Sequence, residues 1–337
     1  MPNWPNSTSP APDMSTPTEI PDRPTLVIGT RGSELALVQA TATEHLLSQA
    51  HPDLTLVRNV IKTTGDRRTD VALNEVAKAE GVFDKGVFIK ELEEALDGGT
   101  IDLAVHSLKD LPTVLDQRFS LAAVLERAPV RDALLSRLPG GLDALPPGAR
   151  VGTSSVRRAR QIEWLRPDLT VVDLRGNVPT RLRKLAESDA YDAILLAEAG
   201  LVRLGFLPPA AAAVAETITG MPTLHAQRLD ESVFFPAAGQ GAIGLEIRSD
   251  DVASRACAES IGHSPTWLRV TAEREFLRLL DAGCHTPVGV FSTLIGDELH
   301  LQARVFPEAG GPPRAGESHG PSAAPLLVAL NLFQSLS

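Results

Sequence analysis

Short apolar runs alternate with segments of helical periodicity in the first third of the chain. The runs at 25–29, 54–61 and 101–105 have the length and β-branched content of buried strands. Residues 34–49 repeat apolar side chains every three or four positions, which predicts a helix, and a second helix is predicted at about 87–97. Strands that alternate with helices are typical of a parallel, doubly wound α/β sheet, which we expect here.

The same order of elements returns after residue 150, behind loops rich in proline and glycine. Strands are predicted at 150–152, 169–174 and 193–197, with helices at 156–165 and from Ala199 onwards. The recurrence predicts a second α/β unit of similar design.

The last third of the chain has a different pattern. We interpret residues 207–231, rich in proline and alanine and then polar, as an insertion of low functional content. The elements predicted next are a strand at 243–247, helices at 252–261 and 266–281, and a hairpin of strands near 290–295 and 299–305. Residues 306–325 are rich in glycine and proline, and the final residues resemble a helix cut short.

Composition limits the classes of function. The 337 residues are 43% hydrophobic, enough for two or three domains with cores. The formal net charge is −10, from 32 Lys and Arg against 42 Asp and Glu, and aromatic residues make up 4%. An acidic surface repels phosphate, and few aromatic side chains are available for base stacking, so nucleic acid is not the expected partner.

The cysteines and the N-terminus bear on the compartment. Cys257 and Cys284 are too few for a disulfide framework or a thiolate metal site, which favours a reduced, cytoplasmic setting. No apolar run reaches the ~18–20 residues that span a bilayer, and no secretory signal is recognised, so no membrane association is expected. Residues 1–24, rich in Pro, Ser and Thr, are expected to form a disordered leader.

The run at 101–105 ends in a polar turn that carries His106, Lys109 and Asp110. In α/β sheets ligands bind at the carboxyl ends of strands, so this turn is a candidate site. Asp110 either caps the next turn or is a catalytic carboxylate that stabilises a cation and moves protons. Lys109 is either a surface charge or a ligand for a substrate carboxylate, and His106 is predicted to be a structural hydrogen-bonding residue.

Two arginines lie in the first turn of a predicted helix, a position that disfavours positive charge. Arg157 and Arg158 open a predicted helix, where a cation opposes the helix dipole. Either they form interdomain salt bridges or they bind an anion together with the backbone N–H groups. With Arg31, Arg175 and Arg181 at corresponding strand ends, we favour a ligand with several carboxylates. The Walker and dinucleotide-binding patterns are both missing.

Two further segments are candidates for chemistry. The turn from Thr30 to Ser33 joins a strand to a helix and either cradles an anion or is an ordinary connection. Cys284 follows Gly283, which permits close approach, and a thiolate is a good nucleophile. Cys257 lies in a predicted helix and fits a free buried thiol better.

Eight motifs together resemble the hydroxymethylbilane synthase (porphobilinogen deaminase) family over roughly residues 25 to 305. They are Ile28-Gly29-Thr30-Arg31-Gly32-Ser33, Lys85-Gly86 with Lys90-Glu91-Leu92-Glu93, His106-Ser107-Leu108-Lys109-Asp110, Gly152-Thr153-Ser154-Ser155-Val156-Arg157-Arg158, Leu174-Arg175-Gly176-Asn177 with Thr180-Arg181-Leu182, Ala199-Gly200-Leu201 with Arg203-Leu204-Gly205, Gly239-Gln240-Gly241 and Gly283-Cys284. The family order is kept throughout.

The resemblance implies a transferase of porphyrin and heme biosynthesis. Such an enzyme condenses four porphobilinogen molecules head to tail, releases four ammonia and yields the linear tetrapyrrole hydroxymethylbilane. A dipyrromethane cofactor, held by a thioether to Cys284, primes the chain, and Asp110 stabilises the positive charge on the pyrrole nitrogens. The resemblance also implies a monomer in the cytoplasm whose product passes to uroporphyrinogen-III synthase.

The resemblance further implies a fold and a set of ligands. The fold is two α/β domains like the type II periplasmic binding proteins, at 25–129 with 236–258 and at 130–235, followed by an α+β domain at 262–337 that carries the cofactor cysteine. The residues implied to bind carboxylates of cofactor and substrate are Arg31, Ser33, Lys85, Ser107, Lys109, Thr153, Ser154, Ser155, Arg157, Arg158, Arg175, Arg181, Arg203 and Gln240.

The chain departs from the family pattern in places. Residues 81–84 are less glycine-rich than the family loop before Lys85, residues 207–231 are longer than expected, and the end after 305 matches poorly. The competing hypothesis is a non-catalytic anion-binding module of the periplasmic-binding-protein type. That hypothesis explains the arginines but gives no reason for Cys284 on its glycine loop.

Overall fold

The computed structural model describes residues 24–63, 89–209, 216–281 and 286–336. The predicted leader at 1–24 lies outside these ranges except for its last residue. The strands are β1 (Thr25–Arg31), β2 (Thr55–Ile61), β3 (Leu103–Ser107), β4 (Phe119–Val124), β5 (Asp132–Ser136), β6 (Arg150–Gly152), β7 (Thr170–Val172), β8 (Ala193–Ala197), β9 (Glu216–Ile218), β10 (Met221–Arg228), β11 (Ile243–Arg248), β12 (Val288–Ile295), β13 (Glu298–Val305) and β14 (Arg314–Pro321).

Eight helices lie in the described ranges. They are α1 (Glu34–Ala50), α2 (Lys90–Asp97), α3 (Val156–Leu165), α4 (Val178–Glu187), α5 (Glu198–Arg203), α6 (Val252–Ser260), α7 (Ser264–Leu279) and α8 (Pro325–Leu336). Several begin at a side-chain cap that the sequence supplies. Ser33 accepts a hydrogen bond from Ala36 N and Asn177 one from Thr180 N, so two of the predicted turn residues set helix starts.

The first sheet has the strand order β2-β1-β3-β11-β4. Strands β1, β2 and β3 are parallel, as predicted, but β11 runs antiparallel between β3 and β4. The sheet is therefore mixed, and it differs from the predicted parallel arrangement at β11. The chain reaches β11 from the second sheet and enters from the opposite end, so it cannot run parallel to its neighbours.

The second sheet has the order β7-β6-β8-β5-β10-β9 and repeats this arrangement. Strands β6, β7 and β8 are parallel, and β5 is antiparallel to β8. Strand β10 pairs with β5 and buries Leu224 and Ala226 in the core. The described part of 207–231 is thus integral to the sheet rather than an insertion. The sequence signal for this strand is the alternation of apolar Leu224 and Ala226 with polar His225 and Gln227.

A third sheet, β12-β13-β14, follows near the end of the chain. The predicted hairpin is confirmed as β12 and β13. Strand β14 lies within the glycine- and proline-rich segment for which no strand was predicted, and α8 packs its Val328, Ala329 and Leu332 into the same core. The observed fold class is therefore two mixed α/β units, each in the periplasmic-binding-protein type II strand order, with a small α+β unit.

The chain crosses between the first two sheets twice. It leaves the first sheet after β4 and enters the second at β5, then returns after β10 to β11. The predicted boundaries at 129/130 and 235/236 fall in these connections. No helix in the described part of the chain has both the length and the hydropathy needed to cross a membrane.

Candidate active site

The turn after β3 presents Asp110. Residues Leu108–Asp110 form a short 3-10 helix whose Leu108 is buried, which fixes the turn to the core. Asp110 is half-buried, and within the described ranges its carboxylate has no hydrogen-bond or ion-pair partner. It therefore does not cap the turn, and its oxygens are available to a ligand.

His106 has the structural role that the sequence predicted. Its Nε2 lies 2.8 Å from Oε2 of Glu246 on β11, and both side chains are buried. This contact ties β3 to the returning strand directly behind the Asp110 turn.

Lys109 shares the charged region with Asp110. Its Nζ lies 3.4 Å from Oε1 of Gln240. Burial and the positive charge of Arg158 lower the pKa of Lys109 to about 8, while Asp110 and Asp132 partly oppose this shift. Lys109 is therefore a desolvated cation that an additional anion would stabilise.

Arg157 and Arg158 lie at the start of α3 and both bind Asp132, the first residue of β5. Arg157 Nη1 donates to Asp132 Oδ2 at 2.7 Å, and Arg158 donates from Nη2 and Nε to Oδ1 at 2.7 and 2.9 Å. All three residues are buried. Burial opposes the charge of Asp132, but the two guanidiniums outweigh it and hold the pKa of Asp132 well below its usual range.

Arg181 and Arg175 extend the positive charge. Arg181 Nε donates to Gly176 O at 2.7 Å. Burial, Arg158 and Arg175 lower the pKa of Arg181 to about 10, whereas Asp173 and Asp110 act in the opposite direction. The charge of Arg181 therefore interacts with those of Asp110 and Arg158.

The predicted hydroxyl residues are engaged with neighbouring groups. Ser33 caps α1, Thr153 Oγ1 accepts from Ser155 N at 3.1 Å, and Ser154 Oγ donates to Leu174 O at 2.5 Å. Ser107 Oγ is 2.9 Å from Nε2 of Gln39, a partner that the sequence analysis did not identify. These contacts shape the turns around the cations.

Three more predicted residues take different positions. Arg31 is the last residue of β1, and Arg203 Nη2 donates to Gly241 O at 2.8 Å, beside Gln240. Gln240 donates from Nε2 to Val130 O at 2.6 Å and to Asp132 Oδ1 at 3.2 Å. Gln240 thus bridges Lys109 to Asp132 across the two connecting segments. Lys85 and Cys284 lie outside the described residues.

Asp132 is the principal residue that sequence reasoning missed. Its signal was small: an acidic residue that opens the apolar run Ala133-Leu134-Leu135. A buried carboxylate is rare without a partner, so the two arginines 25 and 26 positions further on could have been proposed as its counterions.

The arrangement suits a ligand with several carboxylates. Lys109, Arg157, Arg158 and Arg181 are partly or fully desolvated cations. Arg157 Nε is a buried donor that has no acceptor within the described ranges. Among those same residues no group of His, Cys, Asp or Glu is placed to hold a metal ion. Guanidinium and ammonium groups held in one desolvated region are suited to bind the carboxylates of an anionic ligand.

Comparison with known proteins agrees with this chemistry. The family described as "Porphobilinogen deaminase, dipyromethane cofactor binding domain" matches residues 26–256, and "Porphobilinogen deaminase, C-terminal domain" matches residues 267–317. The porphobilinogen deaminase of Roseiflexus sp. (strain RS-1) is 48% identical over 83% of this chain and 86% of its own. That of Roseiflexus castenholzii is 46% identical over 84% of this chain and 86% of its own.

A solved structure, the BenM effector binding domain with its effector benzoate, is only distantly similar. Its TM-score is 0.37 at 17% identity, over 70% of this chain and 90% of that chain. The family matches, in contrast, span most of the chain. The chain belongs to the porphobilinogen deaminase family.

Proposed function

We propose that the charged region around Asp110 is where this chain carries out the reaction of its family. That reaction condenses four porphobilinogen molecules into hydroxymethylbilane with release of four ammonia, and the dipyrromethane cofactor primes it. The observation that carries the proposal is the Asp110 carboxylate, which lacks a partner in the described ranges and lies among several desolvated cations.

Asp110 would act on the charge that develops during the reaction. When ammonia leaves the aminomethyl group of porphobilinogen, positive charge spreads over the pyrrole ring and its nitrogen. A carboxylate held at that nitrogen lowers the energy of this state most when water is excluded. The half-buried position of Asp110 and its lack of competing partners in the described ranges support this role.

The cations would hold the acidic side chains of the pyrroles. Each pyrrole carries an acetate and a propionate, so a growing chain needs many cationic ligands. Arg157 contributes the buried Nε without an acceptor, and Lys109 and Arg181 carry charges that carboxylates would stabilise. We assign Arg31, Arg175, the hydroxyl turns and Gln240 to the same carboxylate-binding surface, and Lys85 by family position alone.

The cofactor attachment is assigned to Cys284. The bound dipyrromethane supplies the pyrrole carbon to which the first substrate unit is joined. Cys257 is the alternative thiol, but it lies on α6, and burial raises its pKa, which disfavours the reactive thiolate. We also infer a cytoplasmic monomer whose product passes to uroporphyrinogen-III synthase, as the family resemblance implies.

Intact mass of the purified protein tests the attachment. We expect protein from a porphobilinogen-producing host to exceed its sequence mass by two condensed pyrrole units. The Cys284→Ala variant should lose this added mass, whereas the matched Cys257→Ala variant should keep it. If Cys284→Ala keeps the added mass, the assigned attachment is wrong, and if the wild type never acquires it, the whole proposal fails.

A further inference from the structure

The carboxylate of Asp132 lies at the centre of the network that joins the two α/β units. It is fully buried at the first residue of β5, where the chain enters the second sheet. Its oxygens accept from Arg157, Arg158 and Gln240, and Gln240 also contacts Lys109. A carboxylate from the protein thus occupies part of a surface that is proposed to bind carboxylates of the substrate.

We propose that Asp132 is a positioning residue that orients Arg157 and Arg158 and sustains the charge of Lys109 for substrate-carboxylate binding. This inference rests on the function proposed above for the same site. It gives the two arginines, which the sequence analysis treated alike, different tasks.

The hydrogen bonds separate the two arginines. Every guanidinium nitrogen of Arg158 has an acceptor, since Nε and Nη2 bind Asp132 and Nη1 binds Leu195 O at 3.0 Å. Arg157 uses Nη1 for Asp132 and Phe235 O, and its buried Nε has no acceptor in the described part of the chain. Arg158 is therefore a fixed support, and Arg157 is the member of the pair that offers a donor to a ligand.

The negative charge of Asp132 also favours the protonated form of Lys109. The charged groups that act on Lys109 are Arg157 and Arg158 from α3, Asp110 from its own turn, and Asp132 from β5. Two of these are cations, so removal of the Asp132 charge leaves Asp110 as the one anion in this set. Lys109 would then lose its proton at a lower pH, and its attraction for a carboxylate would disappear with the proton.

The Asp132→Asn variant keeps the shape and removes the charge. We expect the KM for porphobilinogen to rise at least about tenfold, the effect of losing one charge-assisted contact. The alkaline limb of kcat/KM should also move to lower pH. Asp168→Asn is the matched control, because Asp168 pairs with Arg166 at 2.7 Å on the surface, and both parameters should stay at wild-type values.

Folding and cofactor loading are checked first by thermal unfolding and intact mass. A folded, loaded Asp132→Asn enzyme with wild-type KM and an unmoved alkaline limb would overturn the proposal, even if kcat falls. If this variant does not fold, the Arg158→Lys variant tests the same role, because an ammonium cannot reproduce the two contacts of the guanidinium to Asp132. It should raise KM, and a wild-type KM there would equally reject the positioning role. An inactive wild type would instead reject the proposed function itself.

Discussion

Two carboxylates of the site are placed in opposite environments. Asp132 is saturated by two guanidiniums and an amide, whereas Asp110 is half-buried and has no partner within the described ranges. Because hydrogen bonds to cations lock a carboxylate in its charged form, Asp132 is suited to support and Asp110 to act on a ligand. At the residue scale, the two aspartates therefore differ in role because their hydrogen-bonding partners differ.

The ionisation of Lys109 predicts a pH dependence. The pKa of Lys109 is lowered to about 8, so its ammonium is present below that pH and is lost as the pH rises through it. We expect KM for porphobilinogen to increase above pH 8 in the wild type. The Lys109→Arg variant should lose this alkaline rise, because a guanidinium stays protonated there. Steady-state KM measured across this range provides the check, and identical profiles for both proteins would contradict the assignment.

At the element scale, α7 connects the third sheet to the turn at Asp110. Glu273 binds Arg127 through two contacts of 2.6 and 2.8 Å and also accepts from Gly239 N. The next residue, Arg274, donates to the carbonyls of Leu111 and Pro112, which directly follow Asp110. Helix α7 therefore holds the turn that carries Asp110, the proposed catalytic carboxylate.

Loss of the Arg274 contacts should weaken the turn and the activity together. Arg274→Gln removes the guanidinium donors of these partly buried carbonyls, at a cost of about 1–3 kcal/mol in unfolding free energy. We expect a lower kcat with unchanged cofactor mass, since the turn would no longer be fixed relative to α7.

Arg278→Gln on the same helix is the control for this prediction. Arg278 pairs with Glu275 at the surface, so its replacement should change neither stability nor kcat measurably. Urea unfolding and steady-state kinetics on both variants are the measurements, and equal behaviour of the two would refute the proposed link.

The sequence predicted those elements whose signal is local. The apolar run that became β3 and the turn between β1 and α1 were both predicted from neighbouring residues. Strand β3 begins at Leu103, two residues later than predicted, and the preceding Asp102 accepts a hydrogen bond from Val27 N at 2.9 Å. Strands β4, β5 and β10 were missed or misread because partners far away in sequence determine their pairing.

The residues of the site were likewise predictable where their signal is local. Asp110 and the arginines stand in recognisable turns, so their residue types indicated a carboxylate ligand. The pairing of Asp132 with Arg157 and Arg158 depends on a contact between β5 and α3, which no local pattern encodes. The sequence therefore identified Asp110 and the arginines, but it did not identify Asp132 as the buried counterion of Arg157 and Arg158.

At the scale of the whole molecule, the residues of the proposed site come from both α/β units, which two chain crossings connect. Asp110 and Lys109 come from the first sheet, whereas Arg157, Arg158 and Arg181 come from helices of the second. Gln240 and Asp132 lie in or next to the connecting segments and bridge the two sets. We therefore expect Asp110 to act on a ligand whose carboxylates are bound by the second α/β unit.

The most direct test of this claim is the turnover of an Asp110→Asn enzyme, counted per cofactor-loaded molecule by intact mass. We expect kcat for ammonia release to fall by at least about 10²-fold, the usual scale for loss of a charge-stabilising group, with KM little changed. Asp116→Asn, which removes an exposed carboxylate six residues further along, should behave as wild type. A loaded Asp110→Asn enzyme with near-wild-type kcat would contradict the account.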